Sequence, residues 1–341
     1  MISRRRFAQG IATAVAATSL AGCSAEPTAA PAASVDRRAG SGTNTSLGPI
    51  KQIDAGLLSI GYAEFGPADG PVVLLIHGWP YDPCSYIDVG PLLAAAGYRV
   101  IVPYLRGYGP TVFLSKDTFR NAQQSAVALD IIALMDALQL ESAILAGFDW
   151  GARTVSVMAA LWPERCTALV AVSGYLVTNL ASNLQPLAPA AEYGWWYQYY
   201  FATERGVVGY RQNRHDFNKL MWKIASPKWN FDDATYQRTA ASFENPDHVD
   251  IVVHNYRWRL SLAPGEPQYD DLERKLATGP AITAPAITIA SDFDGPNADG
   301  KAYRDKFTGR HEHRILEGIG HNVPQEAPEA FAQAVIDVHR F

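Results

Sequence analysis

A-G-F-D-W-G-A-R, residues 146 to 153, decides how the rest of this chain is read. It continues an apolar run, S-A-I-L-A-G (142–147), and leads into a segment with helical spacing. Gly147 and Gly151 permit a sharp strand-to-helix turn, since neither carries a Cβ. Asp149 then sits at the tip of the turn, where a nucleophile is presented to a ligand at the edge of a sheet. Read alone, the same aspartate is also a good N-cap for the helix that follows. The company it keeps along the chain chooses between the two.

Working outward, strand-like and helix-like segments alternate. P-V-V-L-L-I-H-G (71–78) is a continuous β-branched and aliphatic run, the pattern of a strand buried on both faces. Y-R-V-I-V-P (98–103), T-A-L-V-A-V (167–172), A-I-T-I-A (286–290) and H-R-I-L-E (313–317) repeat it. In 120–140, Val127, Ile131, Met135 and Leu138 recur at helical spacing, and 326–340 does the same with Ala330, Phe331, Val335 and Val338. This alternation predicts an α/β fold, a mostly parallel sheet with helices on both faces. Strand-like runs vanish between 178 and 275, where five of the chain's eight tryptophans fall. That stretch is predicted to be a helical cap over the C-terminal edge of the sheet, where open α/β sheets bind ligands. The core then consists of 49–177 and 276–341.

The ends and the composition narrow the function classes. The chain has 341 residues, 48% of them hydrophobic, enough for one sizeable core. A net charge of −5 with no basic cluster in the body argues against nucleic-acid binding. Arg4, Arg5, Arg6 and Phe7 open a segment resembling a twin-arginine export signal. The apolar run behind them is too short for a membrane span and ends in L-A-G-C, which resembles a lipobox. Residues 1–23 are therefore expected to direct export, with lipidation at Cys23 the only membrane association and a periplasmic or membrane-anchored product. Residues 24–48, rich in Ala, Pro, Ser and Thr, read as a flexible tether. Cys84 and Cys166 do not make a disulfide framework and are expected to be free thiols.

The chemistry lies in the order of three groups. After Asp149 comes S-D-F-D-G (291–295), with Asp292 and Asp294, behind one strand. G-I-G-H-N-V-P-Q-E (318–326), with His321, follows the last strand. Nucleophile, acid, histidine is the α/β-hydrolase order. Asp294 is preferred to Asp292 because it lies far enough past the strand to turn back toward the imidazole. H-G-W-P (77–80) is expected to supply the oxyanion site, with the backbone N–H groups of Trp79 and Trp150 converging on one oxygen. A cis bond before Pro80 is predicted, and His77 is expected to be structural.

A carboxylate is ionised at neutral pH and needs no base to become a nucleophile. Attack on an ester would give an unstable anhydride, whereas attack on saturated carbon gives a stable alkyl ester. The expected substrate is therefore a small apolar epoxide or alkyl halide. An epoxide oxygen leaves as an alkoxide, whose conjugate acid is about as weak an acid as water, and so needs a proton donor. Tyrosine suits that task, and Y-Q-Y-Y-F (197–201) and H-N-Y-R-W-R (254–259) supply it.

At these residues the chain resembles the epoxide hydrolases of the α/β-hydrolase superfamily. H-G-W-P, G-F-D-W-G, L-R-G-Y-G (105–109) and the two tyrosine segments carry the resemblance. It implies Asp149 as nucleophile, Asp294 and His321 as charge relay, and Tyr197 and Tyr256 as acids. Trp79, Trp150, Trp196, Gln198 and Tyr199 would line the substrate pocket. No organic cofactor or metal is implied, and His311 and His313 lack ligand-spaced partners. The alternatives are a haloalkane or haloacid dehalogenase, in which indole N–H groups would hold the halide, and a non-catalytic ligand-binding relative. Arg153, four residues past Asp149, has no assigned role beyond holding its helix.

Overall fold

A computed structural model describes residues 44–341. The export and lipidation readings at Arg4–Arg6 and Cys23, and most of the tether, lie outside the described residues.

Nine strands form one sheet: β1 (Lys51–Ala55), β2 (Leu58–Phe65), β3 (Val72–Ile76), β4 (Arg99–Pro103), β5 (Val112–Phe113), β6 (Ala143–Gly147), β7 (Cys166–Val172), β8 (Ala286–Ser291) and β9 (His311–Leu316). Their order is β1-β2-β4-β3-β6-β7-β8-β9, with β5 beside β2. β1, β2 and β4 pair antiparallel, and every pair from β4 to β9 is parallel. This is the α/β-hydrolase fold. The chain reverses its direction of travel across the sheet at β3, between neighbours β4 and β6. A crevice opens at the carboxyl ends of strands at such a switch point. Residues 73–76 of β3 and 144–146 of β6 are almost fully buried, which explains their unbroken apolar character.

Helices α1 (Val89–Ala95), α2 (Gln124–Ala137) and α3 (Trp150–Leu161) cover the first half of the sheet. The insert between β7 and β8 carries α4 (Leu180–Asn183), α5 (Pro189–Gly194), α6 (Trp196–Ala202), α7 (Glu204–Ala225), α8 (Asp233–Ala240), α9 (His248–Arg259) and α10 (Asp270–Ala277). After β9 come α11 (Val323–Glu326) and α12 (Pro328–Val338). The helix predicted over 326–340 is present as α12, and it starts after Ala327 (φ −142°, ψ 61°), which separates it from α11. The pyrrolidine ring of Pro328 pushes the residue before it out of the helical region.

The cap is fastened to the core by buried polar contacts rather than by apolar packing alone. Asp82 accepts hydrogen bonds from the Cys84 N–H (2.9 Å), Thr239 Oγ1 (2.8 Å) and Ser242 Oγ (2.6 Å). Burial nevertheless raises its pKa from 3.8 to about 6. Trp222 donates its indole N–H to Pro80 O at 2.8 Å. On the core side, Arg106 of the L-R-G-Y-G loop grips Asp130 of α2 through two N–H···O bonds of 2.6 and 2.7 Å. Cys84 and Cys166 are buried free thiols. Among the described residues no helix is long and apolar enough to cross a membrane, and no cluster of metal-ligating side chains occurs.

Candidate active site

Asp149 joins β6 to α3 with φ 53° and ψ −123°, a backbone conformation costly for any residue with a Cβ. Two glycines make room for it. A Cβ on Gly151 would stand 1.8 Å from the Ile76 carbonyl oxygen, and one on Gly78 would stand 2.4 Å from Asp149 Cβ. The turn therefore tucks against the end of β3 and brings the H-G-W-P loop to the carboxylate.

The two carboxylate oxygens have different partners. Oδ1 accepts the Trp79 backbone N–H at 2.7 Å, while Oδ2 lies 3.3 Å from His321 Nε2. Burial alone would raise the pKa of Asp149. The hydrogen bond and charge of His321, with the Trp150 and Trp79 N–H groups, outweigh it and hold the carboxyl below its usual range. The Trp79–Pro80 bond is cis. His77 is structural, its Nε2 accepting the Leu105 N–H at 3.1 Å while Nδ1 contacts Gly78 O at 3.1 Å. Burial drives its pKa down to about 4, so it stays neutral.

His321 is held by its backbone and by aromatic faces. Its N–H donates to Ser226 Oγ at 2.9 Å, and that hydroxyl donates to Glu326 Oε1 at 2.6 Å. Glu326 also accepts the N–H groups of Gly320 (2.7 Å) and Asn322 (3.0 Å), so one buried carboxylate secures both neighbours of His321. Tyr81 stacks on the imidazole at 5.5 Å, and Phe293 meets it edge-on at 4.3 Å.

The expected Asp294–His321 hydrogen bond is not formed. Asp294 Oδ2 instead accepts the Ser291 N–H at 2.8 Å, completing a capping box with Ser291 over the turn 292–297. His321 Nδ1 is buried with no partner. Asp292 is spent elsewhere, on Lys228 Nζ (2.6 Å) and the Gly318 N–H (3.1 Å).

The cap brings two tyrosines over the carboxylate. Tyr197 of α6 and Tyr256 of α9 lie ring to ring at 5.2 Å and 85°. Each is also 5.1 Å from the Trp79 ring. Both are buried, and burial, reinforced by the Asp149 charge, raises both phenol pKa values. Trp150 donates its indole N–H to Tyr256 Oη at 3.3 Å. Trp79 donates its own to Tyr210 Oη at 3.0 Å, and that hydroxyl in turn meets His248 Nε2 at 2.9 Å. Neither indole N–H points free into the pocket.

Two pocket expectations are corrected. Tyr199 is 48% exposed and donates its hydroxyl to Glu192, because α6 turns that position to solvent while Tyr197 faces inward. Trp196 packs within the cap against Tyr200 and Phe217. Gln198 is buried on α6. Sequence reasoning missed Glu326, Ser226, Tyr210 and His248. Only Glu326, in the quoted G-I-G-H-N-V-P-Q-E, stood near enough to a recognised residue to be suspected.

Residues 71–210 match the family model described as the alpha/beta hydrolase fold. The chain is 33% identical over 333 residues to epoxide hydrolase B of Mycobacterium tuberculosis, covering 79% of this chain and 91% of that protein. A solved structure of a candidate epoxide hydrolase from Klebsiella pneumoniae is 57% identical, with a TM-score of 0.84, over 86% of this chain and 97% of that one. A haloalkane dehalogenase of Mycobacterium marinum is 33% identical over 133 residues, 38% of this chain and 43% of that protein. On these matches the chain is a hydrolase that belongs to the epoxide hydrolase family of the α/β-hydrolase superfamily.

Proposed function

We propose that the protein adds water to an epoxide through a covalent ester on Asp149. The observation that carries this reading is the division of labour on one carboxylate. The Trp79 N–H holds Oδ1 at 2.7 Å and the Trp150 N–H also supports the carboxylate, leaving Oδ2 to attack the epoxide carbon. As the Oδ2–C bond forms, the C–O bond of the three-membered ring breaks. The electron pair goes to the departing oxygen, which takes a proton from Tyr256 or Tyr197. Trp150 donates to Tyr256 Oη, which orders the phenol so that its own proton is free to be given.

His321 next takes a proton from a water that attacks Cγ of the ester. Oδ1, the carbonyl oxygen, becomes the oxyanion and already lies against the Trp79 N–H. Collapse expels the diol carrying Oδ2, and Asp149 keeps one oxygen from water. The proton on His321 restores the tyrosine by way of solvent, so one epoxide and one water give one diol.

Asp294 is the proposed relay carboxylate. A buried Nδ1 without an acceptor calls for one, while Asp292 and Glu326 are committed to other donors. Asp294 adjoins Phe293, which meets the imidazole edge-on, and the proposal requires its carboxylate to leave the Ser291 N–H for Nδ1. The engagement of both indole N–H groups favours an epoxide over a halide, which would need such donors free. Incubation with styrene oxide and with 1-bromobutane tests the choice. Diol without bromide is expected, and bromide without diol would replace the reading.

Export by the twin-arginine route and lipidation at Cys23 are proposed from sequence alone. Mass spectrometry of the N-terminal peptide, in cells with Cys23→Ser as control, tests both.

A further inference from the structure

Two arginines close to the paired tyrosines remain outside this mechanism. Arg153 lies on α3 one turn after Asp149, whose carbonyl accepts its backbone N–H at 3.1 Å. Its guanidinium donates to Leu176 O at 2.6 Å and to Thr178 Oγ1. Its Nε is shielded from solvent and has no partner. Arg259, in the last turn of α9, carries its guanidinium over the ring of Tyr256, with Cζ 5.6 Å from the ring centroid. Its Nε is likewise shielded and unpartnered.

Among the described residues neither guanidinium forms an ion pair. Asp149 is the carboxylate whose charge acts on Arg153, and it is engaged by Trp79 and His321. Glu273 also feels Arg153, but its oxygens accept from Ser125 and Gln124. Burial, and then the charge of Arg259, push the Arg153 pKa down to about 9. A half-buried cation beside a second cation, each with a shielded and unpartnered Nε, is costly without an anion to pair with it. Such an arrangement beside the candidate reacting groups marks a place for a ligand's charge. A planar carboxylate matches the fork of N–H donors on a guanidinium.

We propose that the epoxide carries a carboxylate on or next to the reacting ring, bound between Arg153 and Arg259 beside Tyr197 and Tyr256. This rests on the epoxide hydrolase reading for its chemistry but not for its binding site. The apolar substrate expected from the aromatic cap is thereby narrowed to one with an apolar body and an anionic end.

The test compares trans-3-phenylglycidate with the neutral trans-β-methylstyrene oxide, using the full chain and Arg259→Gln. Arg259 is the position to change because Arg153 also ties α3 to the chain at Leu176 and Thr178. The native protein should prefer the glycidate in kcat/KM. Arg259→Gln should lower that preference at least tenfold, mainly through KM. Arg259→Lys, which keeps the charge but not the fork, should retain part of it and serves if the glutamine variant does not fold. Calorimetry with 3-phenylpropanoate, which has no epoxide, reads the site without turnover, and Arg259→Gln should weaken its binding at least tenfold. Diol from both epoxides with no preference would overturn the anion site and leave the hydrolase reading standing. No diol from either, with Arg259-dependent binding of phenylpropanoate, would overturn the hydrolase reading and leave the anion site. Failure of phenylpropanoate to bind the native protein would overturn the anion site outright.

Discussion

Tyr256→Phe separates proton donation from packing, because it removes one hydroxyl and keeps the ring in a site where Tyr256 is 1% exposed. The lost group is a hydrogen bond to a developing alkoxide, and bonds to charged groups contribute about 1.5–3 kcal/mol. At about 1.4 kcal/mol per tenfold, kcat/KM for an epoxide should fall about 10- to 150-fold. Tyr197, 5.2 Å away ring to ring, remains as a donor. The full loss of about 10²- to 10⁴-fold associated with a general acid should therefore need both tyrosines changed. The substitution also leaves the buried Trp150 Nε1 without its acceptor. Stability should drop by about 1–3 kcal/mol, seen as a lower Tm. The assay is single-turnover alkylation, followed by the fluorescence of the tryptophans beside Asp149. The control is 1-bromobutane, whose leaving group needs no proton. A large loss on the epoxide with a small one on the bromide is expected. Equal losses on both, or a loss under about twofold on the epoxide when 10-fold is the least expected, would refute the proton-donor role and leave Tyr256 a packing residue.

Other consequences are independent of that pair. His321→Gln should form the alkyl ester and fail to hydrolyse it, so intact-protein mass should rise by the mass of the epoxide; no adduct would remove His321 from the second step. Asp294→Asn can still cap Ser291, so it should slow ester hydrolysis far more than ester formation; equal effects on the two steps would argue against a relay. Asp82 has a folded pKa raised from 3.8 to about 6, so the folded state holds the proton more tightly and stability falls as pH rises through that window. The loss amounts to about 3 kcal/mol at 1.36 kcal/mol per pKa unit, and Asp82→Asn should flatten that part of the stability profile relative to the native protein. Asp130→Ala strands Arg106, which is 2% exposed, and should cost about 3–5 kcal/mol in urea unfolding; a cost under about 1 kcal/mol, the scale of a surface pair, would show that the pair is solvated.

The parallel half of the sheet was legible because strands buried on both faces are unbroken apolar runs, as in Val73–Ile76. β1, β2 and β5 were not, since K-Q-I-D-A has one largely exposed face and Val112–Phe113 is only two residues long. Asp149 and His321 were legible through the glycines beside them and their order after strands. Tyr199 was misplaced because neighbouring aromatics in Y-Q-Y-Y-F look alike until a helix decides which face turns inward. The expected Asp294 contact did not form because the local capping geometry at Ser291 takes the same carboxylate. Ser226 meets the Glu326 side chain and the His321 N–H across 100 and 95 residues, contacts that carry no spacing signal.

The central claim is that Asp149, not water, opens the ring. A single turnover in ¹⁸O-labelled water, with enzyme in excess over styrene oxide, tests it directly. The account predicts unlabelled diol and one ¹⁸O in the peptide containing Asp149. Label in the diol from that first turnover, with none in the peptide, would contradict it.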